Sequence, residues 1–208
     1  GIAGWLSRTQ AEWLLEQAKR TDLRGDIVEI GSAYGRSTVC IGWGLRISGN
    51  GKVHAVDPHS GGLIMREEMD DPDSFSSLDA FRSNIRRFGL QRYVNAVVMT
   101  SEQAAVELPN VRARLVFVDG WHSYDAARAD ILGWAPRLVP GGVVAVHDYE
   151  DQCVKDALND SLTTLGLDAS IVQFVDHNMA FFQASPEAPT SFGDHDHAST
   201  QQDQRSAA

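Results

Sequence analysis

One stretch near the start of the chain most constrains how it folds. Residues 27–30 are apolar except for Glu29, and a turn with Gly31 and Gly35 follows them before a helix-forming segment. A buried strand that ends in a glycine turn and leads into a helix is typical of α/β sheets, which bind ligands at the carboxyl ends of parallel strands. The stretch therefore predicts an α/β fold with a ligand site at this turn.

The glycine spacing in this turn argues against a dinucleotide. A dinucleotide-binding turn has the pattern G-x-G-x-x-G, but Ala33 and Arg36 stand where the second and third glycines would follow Gly31. Gly31 still lets the main chain approach a ligand closely. The acid Glu29 precedes Gly31 by two residues, which suits a ligand with a cationic head and no pyrophosphate, such as S-adenosylmethionine.

Further polar residues are placed to hold such a ligand. Ser37 can donate to a carboxylate near a helix N-terminus, where the helix dipole favours negative charge. Asp57 ends the next apolar segment, and an acid there accepts from ribose hydroxyls in nucleotide-binding sheets. His59 is a candidate to line the ribose or the adenine. Ser101 and Glu102 follow the third predicted strand, where an adenine edge would lie, although Ser101 is equally a candidate helix N-cap.

The segment after the fourth predicted strand carries candidate catalytic groups. It begins with Asp119 and includes Trp121 and His122. His122 changes charge near neutral pH and therefore suits general-base catalysis. Trp121 is a candidate to pack on adenine. The alternative is that Asp119 caps a helix and Trp121 belongs to the core.

Two acids that end neighbouring predicted strands point to a metal. Asp119 and Asp148 would repel each other and raise each other's pKa if they were buried together. A divalent cation removes that conflict, and carboxylate oxygens favour Mg²⁺ or Ca²⁺. If His147 also ligates, the preference shifts toward Mn²⁺ or Zn²⁺. Because successive strand residues face opposite ways, the chain must turn at His147 and Asp148 for both to join one site.

Strands alternate with helices along the chain, which predicts a Rossmann-like, doubly wound α/β sheet of seven strands. The short polar turn at 176–178 forces the last two strands into an antiparallel C-terminal hairpin on an otherwise mostly parallel sheet. The predicted strands span 26–31, 52–57, 93–98, 115–119, 143–148, 169–175 and 178–183. The predicted helices span 8–20, with Ser7 or Thr9 as N-cap, 35–47, 75–88, 124–135 and 151–163.

Length and charge limit the partners. The 208 residues suggest one domain, placed at 1–184, followed by a polar tail over 185–208 that is disordered by composition. The net charge of -10 shows no basic footprint for nucleic acid and disfavours anionic membranes. No apolar run is long enough to span a membrane. With two cysteines expected to be reduced, Cys40 and Cys153, and no visible secretory signal, we expect a cytoplasmic protein.

Three further segments carry expectations. The loop over 58–73 has no clear period and is predicted to cover the acceptor, because long loops in compact domains are usually functional or mobile. The Asp-His-Asp-His tract at 194–197 is predicted to be solvated. An exposed Trp5 and the N-terminal helix are a candidate interface, which leaves a homo-oligomer open.

In their order, these strand-end signatures resemble the class I S-adenosylmethionine-dependent methyltransferases. Within that family the chain is similar, over residues 5–183, to small-molecule O-methyltransferases of the catechol and antibiotic-sugar type, which use a divalent metal. The resemblance implies Mg²⁺ or Mn²⁺ as a second cofactor, with Asp119, His147 and Asp148 as ligands. It implies that the methionine end of the cofactor is bound by Glu29, Gly31, Ser32 and Ser37, the ribose by Asp57, and the adenine by Ser101, Glu102 and Trp121. Gly35, His59 and Asp119 complete the predicted cofactor site.

The chain departs from these relatives at three positions. His147 stands where the relatives usually carry a carboxylate ligand, which weakens the case for Mg²⁺. His122 stands where catechol-type enzymes carry a lysine base, so general-base catalysis remains available with a different pH profile. Trp121 stands where antibiotic-sugar relatives can carry an acid.

The sequence therefore predicts a methyltransferase that acts on an oxygen of a small hydroxylated molecule, such as a natural product, a sugar or a catechol-like compound. The metal would bind the acceptor oxygens and His122 would take the proton. Two alternatives stay open. One is a metal-dependent hydrolase that uses Asp119, His147 and Asp148, with Glu29 only structural. The other is a non-catalytic module that binds S-adenosylmethionine.

Overall fold

The computed structural model describes residues 1–61 and 76–185, and within them a mixed sheet of seven strands forms the centre. The strands are β1 (Asp26–Ile30), β2 (Val53–Val56), β3 (Val94–Val97), β4 (Ala113–Val118), β5 (Leu138–His147), β6 (Gln173–Asp176) and β7 (Met179–Gln183). The helices are α1 (Arg8–Lys19), α2 (Arg36–Ser48), α3 (Leu78–Arg87), α4 (Ser101–Glu107), α5 (Tyr124–Trp134) and α6 (Gln152–Thr164). Short 3₁₀ turns span Ala135–Arg137 and Ala169–Ile171.

The strand order is β3-β2-β1-β4-β5-β7-β6. Strands β1 to β5 pair in parallel, with a helix in each connection between consecutive strands. By contrast, β7 runs antiparallel to both β5 and β6. The connection from β6 to β7 is too short for a crossover helix, so these strands form a hairpin. The sheet confirms the predicted Rossmann-like fold with its antiparallel C-terminal hairpin.

Some element boundaries differ from those predicted. β4 and β5 begin earlier, at Ala113 and Leu138, because these two residues pair across the parallel ladder. β6 begins later, at Gln173, because Asp168 caps a 3₁₀ turn that takes up the residues before it. Helix α4 was not predicted, since its 7 residues are too few to show a clear period.

Strand β4 lies in the middle of the core, and all six of its residues are buried. Alternate residues face opposite layers of helices. Val116 packs with Trp134 of α5 and Leu158 of α6. Leu115 packs on the other side, with Leu14 of α1. Because helices cover both faces, the end of the sheet is where polar groups from several strands can meet a ligand.

Helix α1 begins with a reciprocal cap. The Ser7 hydroxyl accepts from the Gln10 backbone N–H (3.2 Å), and the Gln10 side-chain oxygen accepts from the Ser7 backbone N–H (2.8 Å). This pattern satisfies two of the N–H groups that a helix start leaves without partners. It confirms the predicted helix and Ser7 as its N-cap.

A buried arginine joins several segments that lead into the strands of the sheet. Arg114 in β4 is 3% exposed, and burial lowers the pKa of its guanidinium to about 10. Its side chain donates to four backbone carbonyls, those of Gln17 (2.7 Å), Ala18 (2.8 Å), Gly25 (3.2 Å) and Asn50 (3.2 Å). The end of α1 and the turns before β1 and β2 are thereby joined to β4.

Several expectations concern residues outside 1–61 and 76–185. They include most of the predicted acceptor-covering loop, the Asp-His tract and the polar tail. Within the described residues Cys40 and Cys153 are free, as predicted. None of the helices in that part of the chain combines the length and the apolar character needed to cross a membrane.

Candidate active site

Acidic side chains from four parallel strands meet at one end of the sheet. Glu29 lies in β1, and Asp57, Asp119 and Asp148 directly follow β2, β4 and β5. The strand order turns back between β1 and β4, which is where open α/β sheets form a ligand crevice. The structure therefore gathers the predicted strand-end acids around one crevice.

Gly31 is needed for contact between the turns after β1 and β4. Its φ is +86°, and a Cβ atom there would overlap the Asp119 carbonyl oxygen and lie 2.9 Å from the Gly120 Cα atom. Gly35 also has a positive φ, +84°, where it forms the N-cap of α2. Gly31 therefore permits close contact with the turn after β4. Its close approach to a ligand stays a prediction.

Glu29 is a buried carboxyl with one satisfied oxygen. Burial raises the pKa of Glu29 to about 7, although hydrogen bonds from Ser37 and Thr38 oppose the shift. The Thr38 hydroxyl donates to Oε2 at 2.5 Å. Ser37 lies beside Glu29 at the start of α2, and its predicted contact with the carboxylate of a ligand stays a prediction.

Two buried polar atoms next to the turn after β1 lack hydrogen-bond partners. Among the described residues, Oε1 of Glu29 and the hydroxyl of Ser32 have no hydrogen-bond partner. Glu29 is 0% exposed and Ser32 is 2% exposed, so water does not satisfy them from bulk solvent. Buried polar groups are nearly always hydrogen-bonded. An acceptor and a hydroxyl left free here fit the ammonium and carboxylate of a bound amino-acid group.

Asp57 fastens the turn after β2 to the turn after β1. One carboxylate oxygen accepts from the Ala33 backbone N–H (2.7 Å) and the other from the His59 backbone N–H (2.6 Å). A carboxylate oxygen has two acceptor positions, so each keeps one for a ribose hydroxyl. The geometry is compatible with the predicted ribose contact.

His59 lies in the turn after β2, two residues after Asp57. The side chain is buried, with φ of +57°, and its Nδ1 atom is 2.8 Å from the Ser77 hydroxyl. Its ring packs on Phe81 with 5.1 Å between centroids. Burial lowers the pKa of His59, which favours the neutral imidazole. His59 therefore braces the turn to the start of α3 in addition to lying near the predicted ribose site.

Ser101 is not the N-cap of α4. Thr100 is the N-cap, and Ser101 is the first residue of the helix. The Ser101 hydroxyl accepts from the indole N–H of Trp134 (3.0 Å) and donates to the carboxyl of Asp130. Glu102 lies in the first turn of α4 and is exposed. Contact of either residue with adenine stays a prediction.

Asp130 gives the protein a pH-dependent stability. Burial raises the pKa of Asp130 from 3.8 to about 6. Because the folded state favours the protonated carboxyl, the free energy of unfolding should fall as the pH rises from about 4 to about 6. At about 1.4 kcal/mol per pKa unit, the full loss is about 3 kcal/mol.

Asp130→Asn should remove this fall because an amide does not titrate in this pH range. The amide oxygen can still accept from Ser101, so the local structure should be kept. The check is urea unfolding of both proteins between pH 4 and pH 7. Asp125→Asn, an exposed position on the same helix, is the matched control and should keep the wild-type slope. An unchanged slope in Asp130→Asn would contradict the assignment.

The turns after β4 and β5 build a cluster of two aspartates and two histidines. His122 Nε2 lies 2.8 Å from Asp148 Oδ2. His147 Nδ1 lies 2.9 Å from that same oxygen and 3.0 Å from Asp119 Oδ1. Asp148 has φ of +54°, so the chain does turn between the two neighbouring residues, as required for both to join one site.

The aspartates and histidines of this cluster shift one another's pKa values. For His147, burial favours the neutral ring, but hydrogen bonds to Asp119 and Asp148 outweigh it and raise the pKa to about 10. The hydrogen bond to Asp148 likewise raises the pKa of His122. Burial opposes the charge on Asp148, yet the two histidines hold the pKa of that carboxyl well below its usual range. Burial raises the pKa of Asp119.

Three of these residues fit a divalent cation. Asp119, His122 and Asp148 each offer one ligand atom, and those atoms all lie within 4.8 Å of one another. Two carboxylate oxygens and one imidazole nitrogen form a mixed ligand set that suits Mn²⁺ better than Mg²⁺. The donor chemistry therefore fits the metal that the sequence predicted.

His147 does not fit as the third ligand. Its Nδ1 faces both carboxylates, and its Nε2 lies 3.1 Å from Oε1 of Gln10. Both ring nitrogens are thus occupied by acceptors, and the side chain is 4% exposed. The ligand atom that completes the candidate group with Asp119 and Asp148 belongs to His122, whereas His147 was predicted for that position.

Trp121 lies in the turn after β4 with 48% of its surface exposed, so it is not a core residue, and its indole is open to a ligand.

Sequence reasoning missed two polar contacts of the cluster. Gln10 contacts His147, and the Asn178 side-chain amide donates to Asp148 Oδ1 (3.1 Å). The only sequence signal for Gln10 was its place three residues after Ser7, which is also what a helix cap requires.

Comparisons with known proteins agree with this architecture. A family described as "Methyltransferase domain" matches residues 28–149. The O-methyltransferase NovP superposes with a TM-score of 0.72 at 18% identity, covering 85% of this chain and 80% of that one. An O-methyltransferase from Bacillus cereus in complex with SAH gives 0.63 at 16% identity, covering 87% and 82%. CalS11, a TDP-rhamnose 3′-O-methyltransferase of calicheamicin biosynthesis, gives 0.58 at 18% identity, covering 86% and 81%. At these identities the structural similarity concerns the fold.

Proposed function

Since this chain belongs to the methyltransferase domain family and is an S-adenosylmethionine-dependent methyltransferase, we propose that it methylates a hydroxyl oxygen of a small molecule. The observation that carries the proposal is the cluster of Asp119, His122 and Asp148 across the crevice from the buried Glu29. The cluster offers a proton acceptor and cation ligands at the edge where the cofactor turn lies. The O-methyltransferases of similar fold support oxygen as the target.

The turn after β1 would hold the methionine end of the cofactor. Glu29 Oε1 and the Ser32 hydroxyl are the unsatisfied atoms there, and they would pair with the ammonium and the carboxylate. Asp57 would accept from the ribose with its remaining acceptor positions. Trp121 and Glu102 would lie against the adenine. The sulfonium methyl would then face the acceptor site at the ends of β4 and β5.

Methyl transfer proceeds by direct displacement: the acceptor oxygen forms a bond to the methyl carbon as the carbon–sulfur bond breaks, and the acceptor proton leaves to a base. Alignment of oxygen, carbon and sulfur can supply about 7–11 kcal/mol of the acceleration. His122 would take the proton, and Asp148, 2.8 Å from its Nε2 atom, would stabilise the imidazolium that forms. A divalent cation held by Asp119, His122 and Asp148 would instead supply Lewis-acid chemistry that favours the ionised acceptor.

His122→Ala should lower the turnover number by about 10²–10⁴-fold, the usual contribution of a general acid–base group. Affinity for S-adenosylhomocysteine should change little, because His122 does not belong to the cofactor turn. His177→Ala removes an exposed imidazole near Glu150 and is the matched control.

The same variant separates the two roles of His122. A lost base abolishes the acidic limb of the rate–pH profile, whereas a lost ligand raises the metal concentration needed for half-maximal rate. An equal loss of rate and cofactor affinity would contradict both roles.

Calorimetric titration of S-adenosylhomocysteine, with and without Mn²⁺ or Mg²⁺, tests the proposal. We expect micromolar binding, and then methyl transfer from labelled S-adenosylmethionine to some of a panel of catechols and sugar diols. Binding without turnover on any hydroxylated acceptor would favour a non-catalytic module. Absence of binding would overturn the cofactor assignment and favour a hydrolase. The lack of nucleic-acid partners and the cytoplasmic location stay predictions from the charge and composition.

A further inference from the structure

A glutamine of the N-terminal helix reaches the acidic cluster. Gln10 is 2% exposed although it lies in the first turn of α1. Its Oε1 atom is 3.1 Å from Nε2 of His147, 137 residues away in sequence. His147 in turn contacts Asp119 and Asp148 through Nδ1. A continuous chain of polar contacts therefore joins α1 to the two carboxylates at the ends of β4 and β5.

The orientation of the Gln10 amide is fixed from both sides. The amide nitrogen donates to Asp176 Oδ1 (3.0 Å), and the amide oxygen accepts from the Ser7 backbone N–H (2.8 Å). Asp176 is itself held by the Ser7 hydroxyl (3.1 Å) and the Asn178 backbone N–H (3.0 Å). A reversed amide would set its NH₂ group against the Ser7 N–H and its oxygen against a carboxylate. The acceptor end of Gln10 is therefore always presented to His147.

A helix cap alone does not require this residue. Glutamate at the same position would complete the reciprocal cap with Ser7 equally well. It would, however, set a second carboxylate against Asp176 and lose the N–H donor that fixes the amide. The chain uses a side chain with one acceptor and one donor, which suits a position between an imidazole N–H and a carboxylate.

We propose that Gln10 is a positioning residue of the active site, which holds the ring of His147 so that Nδ1 points at both Asp119 and Asp148. His147 then acts as a fixed donor between the two carboxylates. The functional importance of this arrangement rests on the methyltransferase function proposed above. Gln10 lies outside residues 28–149, so the N-terminal helix adds a component of the site that the matched family region does not contain.

The test compares Gln10→Ala with Ser7→Ala. Both variants break the reciprocal cap, but Ser7→Ala keeps the backbone N–H that orients Gln10 and keeps the contact between Gln10 and His147. Long-range ¹H–¹⁵N spectra of the imidazole rings, with the His147 signals assigned from a His147→Asn variant, report the hydrogen bonds of each ring nitrogen. Calorimetry with Mn²⁺ and with S-adenosylhomocysteine completes the comparison.

We expect Gln10→Ala to shift the His147 nitrogen signals. It should also weaken Mn²⁺ binding by about 10-fold or more, because His147 is the outer-shell partner of both carboxylates and loses the contact that orients its ring. Ser7→Ala should leave both unchanged. Identical His147 signals in wild type and Gln10→Ala, or equal changes in both variants, would overturn the proposal. Failure of every protein to bind S-adenosylhomocysteine would refute the methyltransferase function instead, while the His147 spectra would still decide the role of Gln10.

Discussion

Replacing Asp148 by asparagine is expected to lower the turnover number by about 10²–10³-fold, the cost of removing one preorganised electrostatic contact from an active site. The carboxylate accepts from three side chains in this structure. Oδ2 faces the imidazoles of His122 and His147, and Oδ1 faces the amide of Asn178. An asparagine NH₂ group would meet a donor at either position.

The substitution is chosen because it spares the backbone. Asp148 has φ of +54°, and asparagine is among the few residues that tolerate this left-handed conformation, whereas alanine would add strain. The pKa of His122, which is raised by its hydrogen bond to Asp148, should fall back toward its usual value in the variant. Loss of rate can therefore be attributed to charge rather than to unfolding.

The measurement is the steady-state rate with an acceptor found by screening, together with calorimetry of S-adenosylhomocysteine. Cofactor affinity should stay close to that of wild type. Glu150→Gln, which neutralises an exposed carboxylate two residues further on, is the matched control and should keep full activity. A fully active Asp148→Asn would remove the acidic cluster from the mechanism.

Gly31→Ala is expected to destabilise the fold by about 2–5 kcal/mol, the sum of overpacking against backbone and a forced left-handed residue. The added Cβ overlaps the carbonyl oxygen of Asp119, which a rotamer change cannot relieve because it is main chain. The two turns must separate, and Glu29 and Asp119 separate with them. Since domains of this size are stable by only about 5–15 kcal/mol, the variant loses a large part of its stability.

Gly133→Ala is the matched control for Gly31→Ala. It makes the same chemical change in helix α5, where a Cβ would meet nothing within 4 Å. Alanine is the better helix former, so this variant should gain about 0.5–1 kcal/mol. Urea unfolding of the three proteins gives the comparison. A Gly31→Ala protein as stable as wild type would mean that the β1 and β4 turns do not meet as described.

The fold was predictable because its signals are local. The continuously apolar β4, the period of the helices and the short turn at 176–178 each specify an element without knowledge of its neighbours. The acids Glu29, Asp57, Asp119 and Asp148 were predictable for the same reason, since each ends an apolar strand and parallel strands end at one edge of the sheet.

The partners of individual polar groups were not predictable. His147 and Asp148 are adjacent, but the positive φ of Asp148 decides which of them faces the crevice, and nothing local marks a left-handed aspartate. His147 packs against Phe117 and contacts Gln10 of α1, and His122 offers the third candidate ligand atom instead. Ser101 was assigned to adenine because it follows the third predicted strand, and its partner Trp134, 33 residues further along the chain, could not be predicted. Such pairings become visible only when the helices are docked.

The four carbonyls that accept from Arg114 indicate how much of the chain must fold as one unit. Three of the four belong to Gln17, Ala18 and Gly25, which precede the start of β1. A fragment that begins at β1 would bury the guanidinium with a single carbonyl, and an unpaired buried charge costs several kcal/mol. The smallest autonomous folding unit thus reaches back to the end of α1, and these bonds close only after β4 has joined the sheet. The bond between Arg114 and Gln17 therefore couples the N-terminal helix to a strand almost 100 residues further along the chain.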